Sequence, residues 1–218
     1  MSTINETSSL QSQAYNIIKE KILSKSMDSD ALYSETRLAR ELGISRTPLR
    51  EALQCLSQDG YITIIPSRGF KIRCLNQDTM RESIQVRCAI EGFCVYTAAS
   101  RQDEKRCKKL IKDMEKSLER QKAALTSKKF PDAFTEEDHQ FHLLLVRYAQ
   151  NEEFNHLFQR LLYMIHLTTS NALNVPGRAQ ATYDEHLALV EHLKNGDATR
   201  AYQVLIEHLM MPLKMDLL

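Results

Sequence analysis

Residues 34–60, SETRLARELGISRTPLREALQCLSQDG, constrain this chain more than any other stretch. Leu38, Ala39 and Leu42 share one apolar stripe, and Gly43 can leave a helix at positive φ. Ser45 can cap the helix that follows, and Pro48 falls in its first turn, where a missing N–H costs little. Leu49, Ala52, Leu53 and Leu56 then recur at helical spacing and call for one buried face. Two short helices joined by a tight turn satisfy all of these positions, which is the outline of a helix-turn-helix.

The face left outward carries Arg46, Thr47 and Arg50 at or near the amino end of the second helix. A recognition helix pushes that end into a major groove, where guanidinium forks suit guanine edges and phosphates. After Gly60, residues 61–65 are a short β-branched and aromatic run, Pro66-Ser67-Arg68-Gly69 is a turn, and Phe70-Lys71-Ile72-Arg73 alternates. The expectation is a two-stranded wing with Arg68 and Gly69 at its tip, where backbone and guanidinium can approach nucleic acid. Upstream, residues 10–26 predict a first helix behind the motif, and residues 27–33 a polar connection.

SETRLARELGISRTPLREALQCLSQDGYI followed by PSRGFKI resembles the winged helix of the GntR family of bacterial transcription regulators, over residues 10–73. The resemblance implies that Ser45, Arg46, Thr47 and Arg50 contact double-stranded DNA from the helix, with Gly69 at the wing tip. The family usually carries an arginine directly after the Ser-Glu pair. Here Thr36 stands there and Arg37 follows one place later, so Arg37 is carried over as a phosphate contact from a turned position.

Composition adds bounds. A balance of 29 Lys+Arg against 28 Asp+Glu gives no global basic field, so any DNA contact must come from a local patch. The 218 residues suggest two domains, a winged helix at 1–75 and a second unit at 76–218. Cys55, Cys74, Cys88, Cys94 and Cys107 are odd in number and form no Cys-x-x-Cys pair, which predicts reduced, mostly buried thiols. A polar start and no apolar run of membrane length lead to the expectation of a cytoplasmic protein with no membrane partner.

Beyond Gln77 strand signals stop. Amphipathic spacing predicts helices at about 77–101, 103–126, 131–150, 152–173, 179–195 and 197–215, with breaks at Pro131, Asn151, Pro176-Gly177 and Asn195-Gly196-Asp197. The expected fold is therefore mainly α: a winged helix-turn-helix of three helices and a two-stranded wing, then an all-α helical bundle.

Four titratable residues lie on the apolar stripes. Asp138 and His142, four apart, share a face with Phe134, Phe141 and Leu145, while His186 and His208 fall in register with leucines and valines of two further helices. Burying an ionised carboxylate and three imidazoles without partners would cost on the order of several kcal/mol, and one metal ion satisfies all four. Separately, each histidine could be a satisfied core residue, and Asp138 with His142 a bond internal to the helix. His139, His156 and His192 fall off the stripes and read as solvated; His166 is a candidate cavity wall.

DHQFHLLLVRYAQN and DEHLALVEHLKNGDATRAYQVLIEHL are similar to the two signatures of the FCD domain, the helical effector domain of FadR-type GntR regulators. In metal-binding members the ligands match Asp138, His142, His186 and His208. One Asp and three His suit a divalent transition metal, zinc first, with nickel, manganese and iron as alternatives. The resemblance favours a small carboxylate effector anchored beside the metal. Arg87 and Glu91 match an Arg-x-x-x-Glu pattern of these domains, so Arg87 is either a carboxylate clamp or half of an ordinary helix-surface pair with Glu91. His166, Thr169 and Asn171 are further effector-site candidates. The reading is a homodimeric regulator, with no catalytic residues, that binds a pseudo-palindromic operator under control of an organic acid. A sensor of the metal ion itself, or a metal-dependent hydrolase, is the alternative.

Overall fold

The computed structural model describes residues 9–215 and residue 217; the polar start at residues 1–8 lies outside them. The chain divides into two compact units, Met1–Cys74 and Leu75–Leu218.

In the first unit, α1 (Leu10–Leu23), α2 (Glu35–Leu42) and α3 (Arg46–Gln58) are followed by β1 (Ile62–Ile65) and β2 (Gly69–Ile72). Helix α1 stops at Leu23, short of its expected end, because Lys25 turns the chain at a φ of 55°. Its buried residues Ala14, Ile18 and Ile22 face the interior together with Leu49, Ala52, Leu53 and Leu56 of α3. Tyr15 on α1 donates to the Asp59 carboxylate at the carboxyl end of α3, 2.5 Å away, which ties the two helices together. Gly43 ends α2 in the left-handed region, φ 65°, so that its N–H and that of Ile44 close the helix on Arg40 and Ala39.

The wing is an antiparallel pair with Ile62 opposite Ile72 and Ile65 opposite Gly69. The connection before α2 joins it. Tyr33 exchanges both backbone hydrogen bonds with Phe70 (2.9 and 3.0 Å), and their rings stack at 5.3 Å. Gly69 is required by this third layer: its φ is 126°, and a Cβ there would stand 1.9 Å from the Tyr33 carbonyl oxygen. The expectation of an open Gly69 at the wing tip is thus corrected. Gly69 is buried, and the exposed tip is Pro66, Ser67 and Arg68.

The second unit is a bundle of α4 (Gln77–Ala99), α5 (Lys105–Ala124), α6 (Asp132–Tyr148), α7 (Glu152–Leu173), α8 (Arg178–Lys194) and α9 (Ala198–Met210). Asn76 and Thr79 form a reciprocal cap that starts α4, while Asn151 and Asp197 cap α7 and α9. The last helix ends earlier than its spacing predicts and tightens into a 3-10 turn, Met211–Lys214, because Pro212 has no N–H to continue it. Helix α4 lies against α9, α5 against α6, α7 against α6 and α4, and α8 against both α5 and α9, so that the inner faces of all six helices converge on one core. Of the cysteines, all free, only Cys94 and Cys107 are buried; the other three are partly exposed.

Gly69→Ala should lower the stability of the first unit by about 2–3 kcal/mol, from the clash and the strained φ together. Urea denaturation compared with the wild-type chain checks this.

Candidate functional site

The first unit presents one cluster of the residues expected to meet DNA. Ser45, Arg46, Thr47 and Arg50 are all exposed at the amino end of α3, and Arg46, Arg50, Arg68 and Gly69 border a single hollow together with Ser34, Glu35, Thr36 and Ser67. Ser45 occupies the capping position, yet its side chain makes no capping bond. The physical reason lies in the sequence: the third helical position is Pro48, which has no N–H to offer. The hydroxyl therefore stays turned to solvent. Sequence reasoning missed Glu35, whose carboxylate takes Arg50 Nε at 2.7 Å and stands 4.0 Å from Arg46, holding both guanidinium groups over the hollow. Arg37 is apart from this set, exposed and paired with Glu41 at 2.9 Å.

In the second unit, Asp138 and His142 on α6, His186 on α8 and His208 on α9 each place one donor atom within 4.8 Å of the others, and all four are buried. His208 Nε2 is 3.2 Å from His142 Nε2 and 3.3 Å from His186 Nε2, while Asp138 Oδ1 lies 3.9 and 3.7 Å from the same two rings. Each opposite ring nitrogen is engaged. His142 Nδ1 meets Glu91 at 2.5 Å, His186 Nδ1 meets the Gln121 amide oxygen at 2.8 Å, and His208 Nδ1 meets Glu185 at 2.7 Å. Three acceptors thus fix three N–H groups on Nδ1 and turn three Nε2 lone pairs toward one another. Two ligands about 2.1 Å from one ion stand about 3.0–3.4 Å apart between right-angle and tetrahedral geometry, so the imidazole spacing fits a divalent transition metal and the carboxylate lies slightly wider.

Burial, above all, holds His142 and His186 well below the usual imidazole range, with nearby Arg87 and His208 adding to the effect. Neutral imidazole is the form that ligates. Burial pushes the Asp138 and Glu91 carboxyls up, against the pull of His208 and Arg87 on the first and of Arg87 on the second. For Glu185 burial raises, but hydrogen bonds from His208 and from both terminal nitrogens of Arg178 (2.6 Å each) outweigh it and hold the carboxyl at about 2.

Asp138 and His208 also wall a cavity of about 30 Å³ with Arg87, Arg178, Ser83, Thr168, Thr169 and Thr182. Its polar wall comes from α4, α6, α7, α8 and α9. Glu91, His166 and Asn171, expected at the effector site, do not line it. Glu91 is fully buried behind it, one oxygen on Arg87 Nε at 2.7 Å and the other on His142, so the pair with Arg87 is a core interaction and not a surface one. Asn171 donates to the backbone carbonyl of Leu217, and His166 packs edge-on against His139. His139 is itself corrected: its Nε2 is enclosed, and burial pushes the imidazole down to about 3. His156 is exposed as expected; His192 is partly buried.

Two models of protein families match the chain: the bacterial regulatory proteins, gntR family, over residues 10–72, and the FCD domain over residues 82–210. The chain belongs to the GntR family. It is a DNA-binding transcription regulator with an FCD domain. Among relatives of this GntR protein, the uncharacterized HTH-type transcriptional regulator YdhC of Bacillus subtilis is 28% identical over 90% of this chain and 86% of its own. The HTH-type transcriptional repressor RspR of Escherichia coli is 26% identical over 94% of this chain and 88% of its own. The solved structure of E. coli McbR/YncC shares the fold, with a TM-score of 0.70 at 18% identity over 95% of this chain and 97% of that one. The matched families and the named relatives are transcriptional regulators, not enzymes, which sets aside the hydrolase alternative. No helix among the described residues is long and apolar enough to cross a membrane.

Sequence reasoning also passed over Gln121, Glu185 and Arg178. The first two were within reach. Gln121 continues the stripe of Leu110, Met114, Ser117 and Leu118 on α5, and Glu185 immediately precedes His186. Glu91→Leu should cost this GntR protein about 3–5 kcal/mol, because it leaves the Arg87 guanidinium buried without its counter-charge. The double variant Arg87→Met with Glu91→Leu should recover part of that loss, as read by chemical denaturation.

Proposed function

We propose that this chain is an operator-binding regulator, acting as a homodimeric repressor, whose DNA affinity is set by a small organic acid bound beside a divalent metal in the helical unit. One observation carries the reading: three imidazole Nε2 atoms and one carboxylate converge in a buried cluster, each imidazole oriented by its own acceptor, next to a cavity walled by Arg87 and Arg178. Asp138, His142, His186 and His208 would hold the ion, with zinc the first choice. The bound metal supplies Lewis-acid attraction for a carboxylate, and Arg87 offers a guanidinium at the cavity wall.

In the winged helix, Ser45, Arg46, Thr47 and Arg50 form the major-groove face, Arg68 reaches from the wing tip, and Arg37 serves as an outlying phosphate contact. Glu35 orients Arg46 and Arg50. A single small winged helix buries limited surface on DNA, and a two-fold dimer doubles it on a pseudo-palindrome. The effector acts by binding one state of the helical unit more tightly than another, and a preference of a few kcal/mol moves the operator from mostly bound to mostly free.

Elemental analysis of the purified protein should find about one transition metal per chain, and the Asp138→Ala variant should lose it; zinc-incubated protein without metal would refute the site. Glu185→Gln and Gln121→Leu should each weaken metal affinity by about 10- to 100-fold, read by competition with a chromogenic chelator. Arg50→Ala should weaken operator binding by roughly 10- to 100-fold while leaving metal content unchanged, as read by fluorescence anisotropy across a salt series.

A further inference from the structure

An acidic side chain on a surface that meets a polyanion works against binding unless it has another task there. Glu35 is such a side chain. It stands in the first turn of α2 and borders a hollow of about 150 Å³ together with three cations, Arg46 and Arg50 from α3 and Arg68 from the turn of the wing. One of its oxygens, Oε2, accepts from Arg50 Nε at 2.7 Å and lies 4.0 Å from Arg46 Nη2. The Glu35 side chain is 21% exposed, against 59% for Arg50 and 55% for Arg46, so the carboxylate is the enclosed member and the guanidinium groups are the presented ones.

The atom that Glu35 engages decides what Arg50 has left to offer. A guanidinium carries two bidentate edges, a side-on edge of Nε with one terminal nitrogen and an end-on edge of the two terminal nitrogens. The bond at Nε takes up the first. What remains is the end-on edge, a rigid pair of donors that matches O6 and N7 of a guanine in the major groove. A side chain already restrained at Nε also loses less rotamer freedom when that contact forms. Charge adds a second effect: the three arginines and one glutamate around the hollow leave a balance of two positive charges, and removing Glu35 would leave three. Attraction for any phosphate backbone, whatever its sequence, would rise with that third charge.

We infer that Glu35 is a specificity-determining residue of the DNA face, acting through Arg50 as a positioning residue. It holds Arg50 end-on for one guanine in each half-site, and its charge lowers affinity for every sequence that lacks that guanine. Specificity is a difference between two affinities, and one carboxylate works on both sides of it, improving the right contact and weakening the wrong ones. This inference rests on the reading that the amino end of α3 enters the major groove. It goes beyond that reading by assigning the base that Arg50 reads and by giving an acidic residue a task on a cationic surface.

Parallel selections from a pool of randomised duplexes test it, with the full-length wild-type chain, Arg50→Ala, Glu35→Gln and Glu35→Ala. The position whose preference disappears with Arg50→Ala should be a guanine. Both Glu35 variants should lose about tenfold of the wild-type discrimination between G·C and A·T at that position and keep the preferences at the others. On a mixed-sequence duplex without the selected site, fluorescence anisotropy should show the Glu35 variants binding about threefold or more tightly than the wild-type chain, with a salt dependence steeper by up to about one unit of slope. An unchanged preference in both variants, a base other than guanine at that position, mixed-sequence binding no tighter than wild type, or weaker binding to every duplex alike each overturns the role of Glu35 and leaves the recognition face standing. Selections in which Arg50→Ala keeps every wild-type preference overturn that face, and this inference with it.

Discussion

Three histidine side chains aim their Nε2 lone pairs at one another inside an apolar bundle, and much of the helical unit is arranged around that fact. Lone pairs 3.2–3.3 Å apart cannot hydrogen-bond to each other when each ring's proton is held on the opposite nitrogen. Holding those protons takes an acceptor behind each ring, and the acceptors come from three helices: Glu91 from α4, Gln121 from α5 and Glu185 from α8. The acceptors need support in turn. Arg87 balances Glu91, Arg178 balances Glu185, and the Gln121 amide donates to the Glu137 backbone carbonyl at 3.4 Å, which orients its oxygen toward His186. Phe141 stacks on His186 at 4.1 Å and seals the cluster from the side. The polar interior is thus a connected network on α4, α5, α6, α8 and α9, and the apolar core fills the space around it.

That network has consequences for packing. A polar cluster is more demanding than a leucine layer, since a shift that a leucine layer would absorb breaks a hydrogen bond here. The helices that carry it are the ones in closest association, α4 with α9, α5 with α6 and α8 with α9. Arg178 stands in the first turn of α8, directly after Gly177 at a φ of 81°, so the chain reverses into the helix and places a guanidinium on the cavity wall at once. Arg87 and Arg178 on the cavity wall are bonded to Glu91 and Glu185, which hold two of the three imidazoles, so anything that enters meets the same network that orients those rings.

The winged helix solves a different problem, which is to keep polar groups available at a surface. Pro48 withholds the N–H that Ser45 would otherwise cap, and the hydroxyl is left exposed beside Arg46 and Thr47. Glu35 gathers Arg46 and Arg50 without burying them, in pairs whose arginine side chains remain more than half exposed. Such exposed pairs add little to stability. Their effect is positional, limiting the rotamers of two long side chains at the end of α3.

Periodicity, caps and breakers in the sequence determined the helix count, the wing, and the inward facing of Asp138, His142, His186 and His208, because these follow from interactions within a few residues along the chain. Helix ends slipped where a local turn or Pro212 intervened. What only the tertiary structure decided is which side chains meet across helices: that Glu91 supports His142 and leaves the cavity wall to Arg87, that Gln121 and Glu185 complete the other two rings, and that Arg178 and Thr168 share a cavity with Arg87 while His166 and Asn171 do not. It also decided that Gly69 is held under the Tyr33 carbonyl. Helical spacing tells which face a residue occupies, whereas the rotation and offset of one helix against another depend on packing summed over the whole core, which no single stretch of sequence carries.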